Sequence, residues 1–133
     1  MISKVIYKGN LRTEATHLRS GNVIITDAPT DNHGKGEAFS PTDLASTSLA
    51  SCIMTIMGIA ADAHNIDIAG AVADVNKVMD SEPRRIKMIE IIIQMPDHEY
   101  TQKEKKILEA AAHHCPVALS LHPDTKEALT IKW

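Results

Sequence analysis

The chain has 133 residues, a formal net charge of −3 at neutral pH, and only one tryptophan, two tyrosines and one phenylalanine. A chain of this length fits a single domain, which we assign to residues 1–133, and such a domain buries roughly two-thirds of the surface that its unfolded form exposes. The composition lacks the basic face and the stacking rings that nucleic acid binding requires, so nucleic acid is not an expected partner.

The N-terminal residues alternate between apolar and polar side chains, which is typical of β-strands. We predict an antiparallel meander with strands at residues 4–7, 11–17 and 23–26, because Gly9-Asn10 and Ser20-Gly21-Asn22 supply turns between them. This alternation is unlike a signal peptide, so we expect a cytoplasmic protein. Residues 28–40 are rich in glycine, proline and charge, and they predict a loop that can lie over a site.

The segment Ser40-Pro41-Thr42-Asp43 combines a serine N-cap, a proline at the first helical position and an acid in the first turn. It predicts a long helix that ends near His64. The helix has no charged face, because its apolar residues cover more than one stripe: Leu44, Leu49, Ile53, Met54, Ile56, Met57 and Ile59. We therefore expect it to be buried on all sides.

A helix buried on all sides is awkward in so short a chain, because packing on one sheet leaves the opposite side exposed to water. A second subunit would cover that side, so we predict an intimate homodimer. The nearly apolar stretch at residues 49–61 is shorter than the roughly 20 residues that cross a bilayer, and no membrane association is expected.

Residues 71–79 and 84–95 predict a β-hairpin. One face of its second strand is apolar, with Ile89, Ile91, Ile93 and Met95. A second helix should begin near residue 101, and Cys115 continues its apolar face. Since Pro116 must end or kink this helix, a short helix at residues 116–121 and a last strand at residues 128–133 should follow.

The two cysteines invite a chemical explanation, because a single pair in a reducing compartment is not a structural disulfide framework. A thiol peroxidase needs a thiolate, a cation that lowers the pKa of that thiol, and a second thiol that resolves the sulfenic acid. Cys52 lies too deep in its predicted helix for the dipole to activate it. Cys115 precedes Pro116 at a predicted helix N-terminus, which favours the thiolate. From spacing alone, inert packing of these thiols is equally expected.

Two segments resemble a known family. Ser40-Pro41-Thr42-Asp43-Leu44 leading to Ala50-Ser51-Cys52 is similar to the helix start and reactive cysteine of the OsmC/Ohr family, the osmotically inducible protein C and organic hydroperoxide resistance proteins. Ala111-Ala112-His113-His114-Cys115-Pro116-Val117 resembles the resolving site of that family. The resemblance implies an α+β fold with an N-terminal meander, a long central helix, a hairpin, a second helix and a C-terminal strand, and an intertwined homodimer with its sites at the subunit interface.

The resemblance also implies a thiol peroxidase that reduces organic hydroperoxides in oxidative-stress defence. Cys52 would be the peroxidatic thiol and Cys115 the resolving thiol. A cellular dithiol would reduce their disulfide, and no cofactor is expected. The family also uses an arginine, for which Arg12 is the first candidate and Arg19 the second.

The acid that accompanies the arginine departs from the family pattern. Thr42 stands where peroxidases of the family carry glutamate, and the nearest carboxylates are Asp43 and Glu37. We take Asp43 as the candidate partner of the arginine. Weak peroxidase activity is the alternative consequence of this departure.

Four apolar side chains are candidate walls for the organic part of a hydroperoxide: Phe39, Met54, Met57 and Met88. For any single one, packing in the core is the simpler interpretation. The cluster His113-His114-Cys115 lacks a strong zinc spacing, so no metal is expected, and a hydrolase that uses Cys115 lacks an oxyanion-hole signature. The main alternative is a dimer of the same fold that senses redox state or binds an apolar ligand without turnover.

Overall fold

The computed structural model describes every residue, Met1–Trp133, and the chain forms two compact units, Met1–Ala45 and Ser46–Trp133. The first unit holds the strands β1 (Ser3–Gly9), β2 (Arg12–His17) and β3 (Val23–Asp27). They form an antiparallel sheet in the order β1-β2-β3. The meander predicted from the alternating pattern is therefore confirmed.

The long helix α1 (Pro41–His64) begins and ends where the sequence predicts. The hydroxyl of Ser40 accepts a hydrogen bond from the backbone N–H of Asp43 at 3.1 Å, and the Asp43 carboxylate accepts one from the N–H of Ser40 at 2.7 Å. This reciprocal pair is a capping box, which satisfies two N–H groups that a helix start would otherwise leave unbonded. At the other end Asn65 adopts the left-handed conformation, with φ of 55°, that commonly terminates a helix.

The second unit holds a sheet of the strands β4 (Val72–Ser81), β5 (Arg84–Gln94) and β6 (Lys126–Lys132), with β5 in the centre. β4 and β5 form the predicted antiparallel hairpin, whereas β6 pairs with β5 in parallel. A parallel neighbour requires a crossover connection. The helices α2 (Gln102–Ala112) and α3 (Pro116–Ser120) lie in that connection.

The core of the second unit lies on one face of β5. Ile89, Ile91 and Ile93 are fully buried, as their alternation predicts. Most of the side chains buried with them come from α1 and α2, among them Leu49, Ile53, Met57, Leu108 and Ala112. Each fully buried aliphatic side chain of this size stabilises the fold by roughly 1.5–3 kcal/mol through its removal from water.

In a single chain α1 is buried on one side, and burial of its other side, which the sequence analysis assigns to a second subunit, stays a prediction. Its buried positions follow one stripe, while Ser51 and Thr55 are exposed and Ile59 keeps 62 % of its surface in water. By length and composition, the whole helix of 24 residues is long and apolar enough to cross a membrane. The sequence analysis considered only the shorter stretch at residues 49–61, which is not. The core helix of a soluble protein meets the same two criteria.

Candidate functional site

The structure brings together the two cysteines on which the predicted chemistry depends. Cys52 lies on α1, and Cys115 lies between α2 and α3, where it is the N-cap residue of α3. Cys52 packs against the buried cluster that includes Cys115, and Sγ of Cys115 donates to the carbonyl oxygen of Leu49 at 4.0 Å. Both thiols are free, Cys115 is fully buried and Cys52 is half-buried.

The pKa of Cys115 is raised above its ordinary value, chiefly because burial disfavours the charged thiolate and also because of the adjacent Cys52 thiol. Backbone N–H groups of Val117 and Ala118 act in the opposite direction. The expectation that the start of α3 favours the Cys115 thiolate was therefore wrong in its net direction. Cys115 is a protonated donor at neutral pH.

Arg12 lies at the start of β2, opposite Asp27 at the end of β3. Its Nε donates to Oδ1 of Asp27 at 2.7 Å, and its Nη2 donates to Oδ2 of the same carboxylate at 2.8 Å. Nη2 also donates to Oε2 of Glu37 at 2.9 Å. Such a bidentate pair is among the stronger charge-assisted interactions and fixes the plane of the guanidinium.

Asp27 is 2 % exposed, and it also accepts a hydrogen bond from the backbone N–H of Glu37 at 3.2 Å. The hydrogen bonds from Arg12 hold the pKa of the Asp27 carboxyl below its usual value, although burial opposes this shift. Asp27 therefore stays ionised and ties the loop that precedes α1 to the sheet.

The acids named from the sequence have different places. Asp43 caps α1 through the backbone of Ser40, whereas Glu37 binds Arg12 directly. The sequence analysis missed Asp27, the main partner of Arg12. The register of the hairpin formed by β2 and β3 identifies this partner. The backbones of His17 and Asn22 bond at 2.8 Å and close the turn, and the antiparallel register that follows places residue 27 opposite residue 12. Arg19, the second candidate arginine, is exposed in that same turn.

The candidate wall residues do not share one environment. Met57 is buried in the core of the second unit, and Met54 packs against that core. Met88 is half-buried on β5, where strand alternation puts it on the face opposite Ile89. Phe39, just before α1, is 54 % exposed. Met57 therefore has a core-filling place, as the simpler interpretation expects.

A metal ion would need several donor side chains around one point. No group of three or more histidine, cysteine, aspartate or glutamate side chains is close enough together to hold one. The chemistry that these residues offer is that of the two thiols and of the Arg12 cluster with its carboxylates.

Comparisons with known proteins agree with this description. The chain is similar to a crystal structure of a Psychrobacter arcticus protein provisionally named for osmotic stress induction and a detoxification response, with 55 % identity, a TM-score of 0.94, and coverage of 99 % of this chain and 96 % of that one. An organic hydroperoxide resistance protein, OsmC, from Legionella pneumophila has the same fold at 18 % identity, with a TM-score of 0.74 and coverage of 99 % and 96 %.

The organic hydroperoxide resistance protein OhrB of Bacillus subtilis also shares the fold, at 18 % identity, with a TM-score of 0.66 and coverage of 99 % and 98 %. A comparison with curated protein sequences gave no significant match. The family model of OsmC-like proteins matches residues 34–129, which include both cysteines and the capped start of α1. The chain therefore belongs to the OsmC-like protein family, and its α+β fold is that of the OsmC and Ohr structures.

Proposed function

We propose that the protein is a cysteine-based thiol peroxidase that reduces organic hydroperoxides in oxidative-stress defence, with Cys52 as the peroxidatic and Cys115 as the resolving thiol. The observation that carries this proposal is that Cys52, a free thiol with access to solvent, packs against the buried cluster that holds the second free thiol, Cys115. The names of the Legionella and Bacillus relatives, which refer to organic hydroperoxide resistance, point to the same class of substrate.

The reaction starts when the Cys52 thiolate attacks the terminal oxygen of the hydroperoxide. The O–O bond breaks, the alkoxide takes up a proton and leaves as an alcohol, and Cys52 becomes a sulfenic acid. Cys115 then attacks the Cys52 sulfur, its thiol proton leaves with the hydroxyl as water, and a disulfide forms. A dithiol supplies the two electrons that restore both thiols.

The cation that activates Cys52 is the open part of this proposal, with Arg12 as first and Arg19 as second candidate. The charge of Arg12 is compensated by Asp27 and Glu37, and a compensated cation lowers the pKa of a thiol less than an uncompensated one. Arg19 is exposed in its turn. Both arginines must therefore be tested in parallel.

We also propose that the protein acts as a homodimer with its sites at the subunit interface. Val5 and Ile6 are consecutive on β1, so they point to opposite faces of its sheet, and they are 61 % and 41 % exposed. Ile24 and Ile25 on β3 and Ile59 on α1 are exposed as well. Exposed apolar surface of this extent is typical of a face that another subunit covers.

The peroxidase proposal is tested by mixing reduced protein with cumene hydroperoxide and a dithiol and following peroxide loss. We expect repeated turnover in wild type, none in Cys52→Ser, and a persistent sulfenic acid by intact mass in Cys115→Ser. The variants Arg12→Ala and Arg19→Ala identify the activating cation, because the first step should become slower in the variant that lacks it. Loss of an essential electrostatic contact typically slows such a step by about 100-fold or more.

The same assay separates catalysis from the alternative function. If wild type consumes no more peroxide than the double variant Cys52→Ser/Cys115→Ser, the peroxidase proposal fails. One equivalent of peroxide consumed, followed by a stable disulfide that the dithiol does not reduce, would instead support a redox sensor on the same fold.

A further inference from the structure

The turn between β1 and β2 borders a cavity of about 100 Å³ with cationic walls. Lys8, Arg12 and Lys35 line it, together with the turn residues Gly9 and Asn10. No acidic side chain is among its lining residues. Since a water molecule takes up about 30 Å³ in the liquid, the cavity has room for about three waters or for one small tetrahedral oxyanion.

The guanidinium of Arg12 is held so that part of it remains available to this cavity. Asp27 binds Nε and Nη2, and Glu37 binds Nη2. Nη1 takes no part in these bonds, and its two N–H groups can donate to a further acceptor. Because the two carboxylates fix the guanidinium plane, the direction of the Nη1 donors is set before any ligand arrives.

The backbone beside the cavity is irregular in a way that favours Lys8 as a second donor. The pairing of β1 with β2 shifts between Tyr7 and Gly9, so Lys8 lies at a bulge, and bulges re-aim side chains next to functional sites. In the turn itself Asn10 and Leu11 have φ of 52° and 61°. Positive φ at both central residues is the geometry of a two-residue hairpin turn, although leucine rarely adopts it.

We propose that this cavity binds a phosphate group or a similar small oxyanion, with Lys8, Lys35 and Nη1 of Arg12 as donors. The ligand class follows from the donors, because the ammonium groups of Lys8 and Lys35 and the N–H groups of Nη1 match the acceptor oxygens of a phosphate. Since Asp27 and Glu37 compensate the charge of Arg12, Nη1 contributes as a hydrogen-bond donor and the two lysines supply the positive charge. Lys8 is 3.8 Å from Glu14 and nearly half exposed, so that weak pair leaves it able to turn to a ligand.

The test is a calorimetric titration of reduced wild-type protein with inorganic phosphate at low ionic strength, and in parallel with methyl phosphate. We expect saturable binding that Lys8→Gln and Lys35→Gln each weaken by about fivefold, the size of one solvent-screened charge contact. Lys103→Gln removes the same charge from an exposed site on α2 and should bind like wild type. If methyl phosphate binds more tightly than inorganic phosphate, the ligand is a phosphate ester. If inorganic phosphate binds more tightly, the ligand is the free ion.

Two results would overturn the proposal. One is equal binding by the Lys8, Lys35 and Lys103 variants, and the other is a heat signal that potassium chloride of matched ionic strength reproduces. Both cavity lysines are exposed enough that their replacement leaves the fold intact, which thermal unfolding of each variant checks. No peroxide is present, so the result is independent of the peroxidase proposal.

Discussion

Cys52 and Cys115 differ in their access to solvent. Burial raises the pKa of Cys115, and its thiol donates to the carbonyl oxygen of Leu49. Cys52 is only half-buried, so a reagent in solvent can reach it. This difference in access agrees with the proposed roles, in which Cys52 reacts with the peroxide and Cys115 resolves the product.

This difference predicts unequal alkylation of the two thiols. With limiting iodoacetamide at pH 7.5, Cys52 should be modified first and Cys115 only slowly, because a raised pKa leaves less of the reactive thiolate at any given pH. Peptide mass spectrometry measures both sites. Equal modification of native Cys52 and Cys115 would contradict the prediction, and unfolded protein, in which both sites should react, is the control.

The Asp27 carboxylate predicts a pH dependence of stability. Its pKa is lowered in the folded state by Arg12, so its contribution is present above the unfolded pKa of aspartate and is lost as the pH falls through the lower folded value. Asp27→Asn should therefore have a lower Tm than wild type at pH 7, and the difference should shrink towards pH 2.

Thermal unfolding between pH 2 and pH 7 measures this difference, with Asp97→Asn, a substitution of an exposed aspartate, as the matched control. A difference in Tm between wild type and Asp27→Asn that stays constant over this range would show that the charge of Asp27 does not contribute. Because Asp27 is nearly buried and paired with Arg12, we expect a larger effect than at Asp97.

At the scale of elements, local signals account for most of what the sequence predicted. The alternation in β1 to β5 and the Ser40 cap depend on neighbouring residues, and the structure confirms the elements that they predict. The parallel pairing of β6 with β5 was not predicted, because it depends on contacts between distant segments. The partner of Arg12 was missed for a related reason, since it lies across a strand pair whose register was not worked out.

The cap of α2 gives an element-scale prediction. The Thr101 hydroxyl accepts a hydrogen bond from the N–H of Glu104 at 3.2 Å, and the Glu104 carboxylate accepts one from the N–H of Thr101 at 2.7 Å. Thr101→Ala should lower the free energy of unfolding by about 1 kcal/mol, whereas Thr101→Ser keeps the cap and should change it by less than about 0.5 kcal/mol. Urea unfolding measures both, and equal losses would contradict a capping role.

At the scale of the whole molecule, the one-sided burial of α1 is the situation that led the sequence analysis to predict a second subunit. One sheet covers one side of an apolar helix, and the other side needs a further neighbour. The isolated chain covers one stripe of α1 and leaves Ile59 in water. In the proposed homodimer, the second copy supplies the missing neighbours.

This proposal predicts that charge on the exposed side of α1 separates the subunits. Wild type should sediment with the mass of two chains, and Ile59→Lys should shift the equilibrium towards a single chain of 14.5 kDa, because a lysine in an apolar interface is desolvated without a partner. Gln102→Lys adds the same charge on α2 and should leave the mass unchanged. A wild-type protein with the mass of one chain at all concentrations would refute the homodimer.

The parallel pairing of β5 and β6 also bears on the order of folding. The β4–β5 hairpin joins neighbouring residues, and hairpins form within roughly 1–10 μs, whereas β6 can join only after the connection that carries α2 and α3 closes, which is a slower event. Cys115 lies inside that connection and Cys52 lies before the hairpin. An incompletely folded chain therefore keeps the two thiols apart, and rapid formation of their disulfide reports that the late-forming part of the sheet is in place.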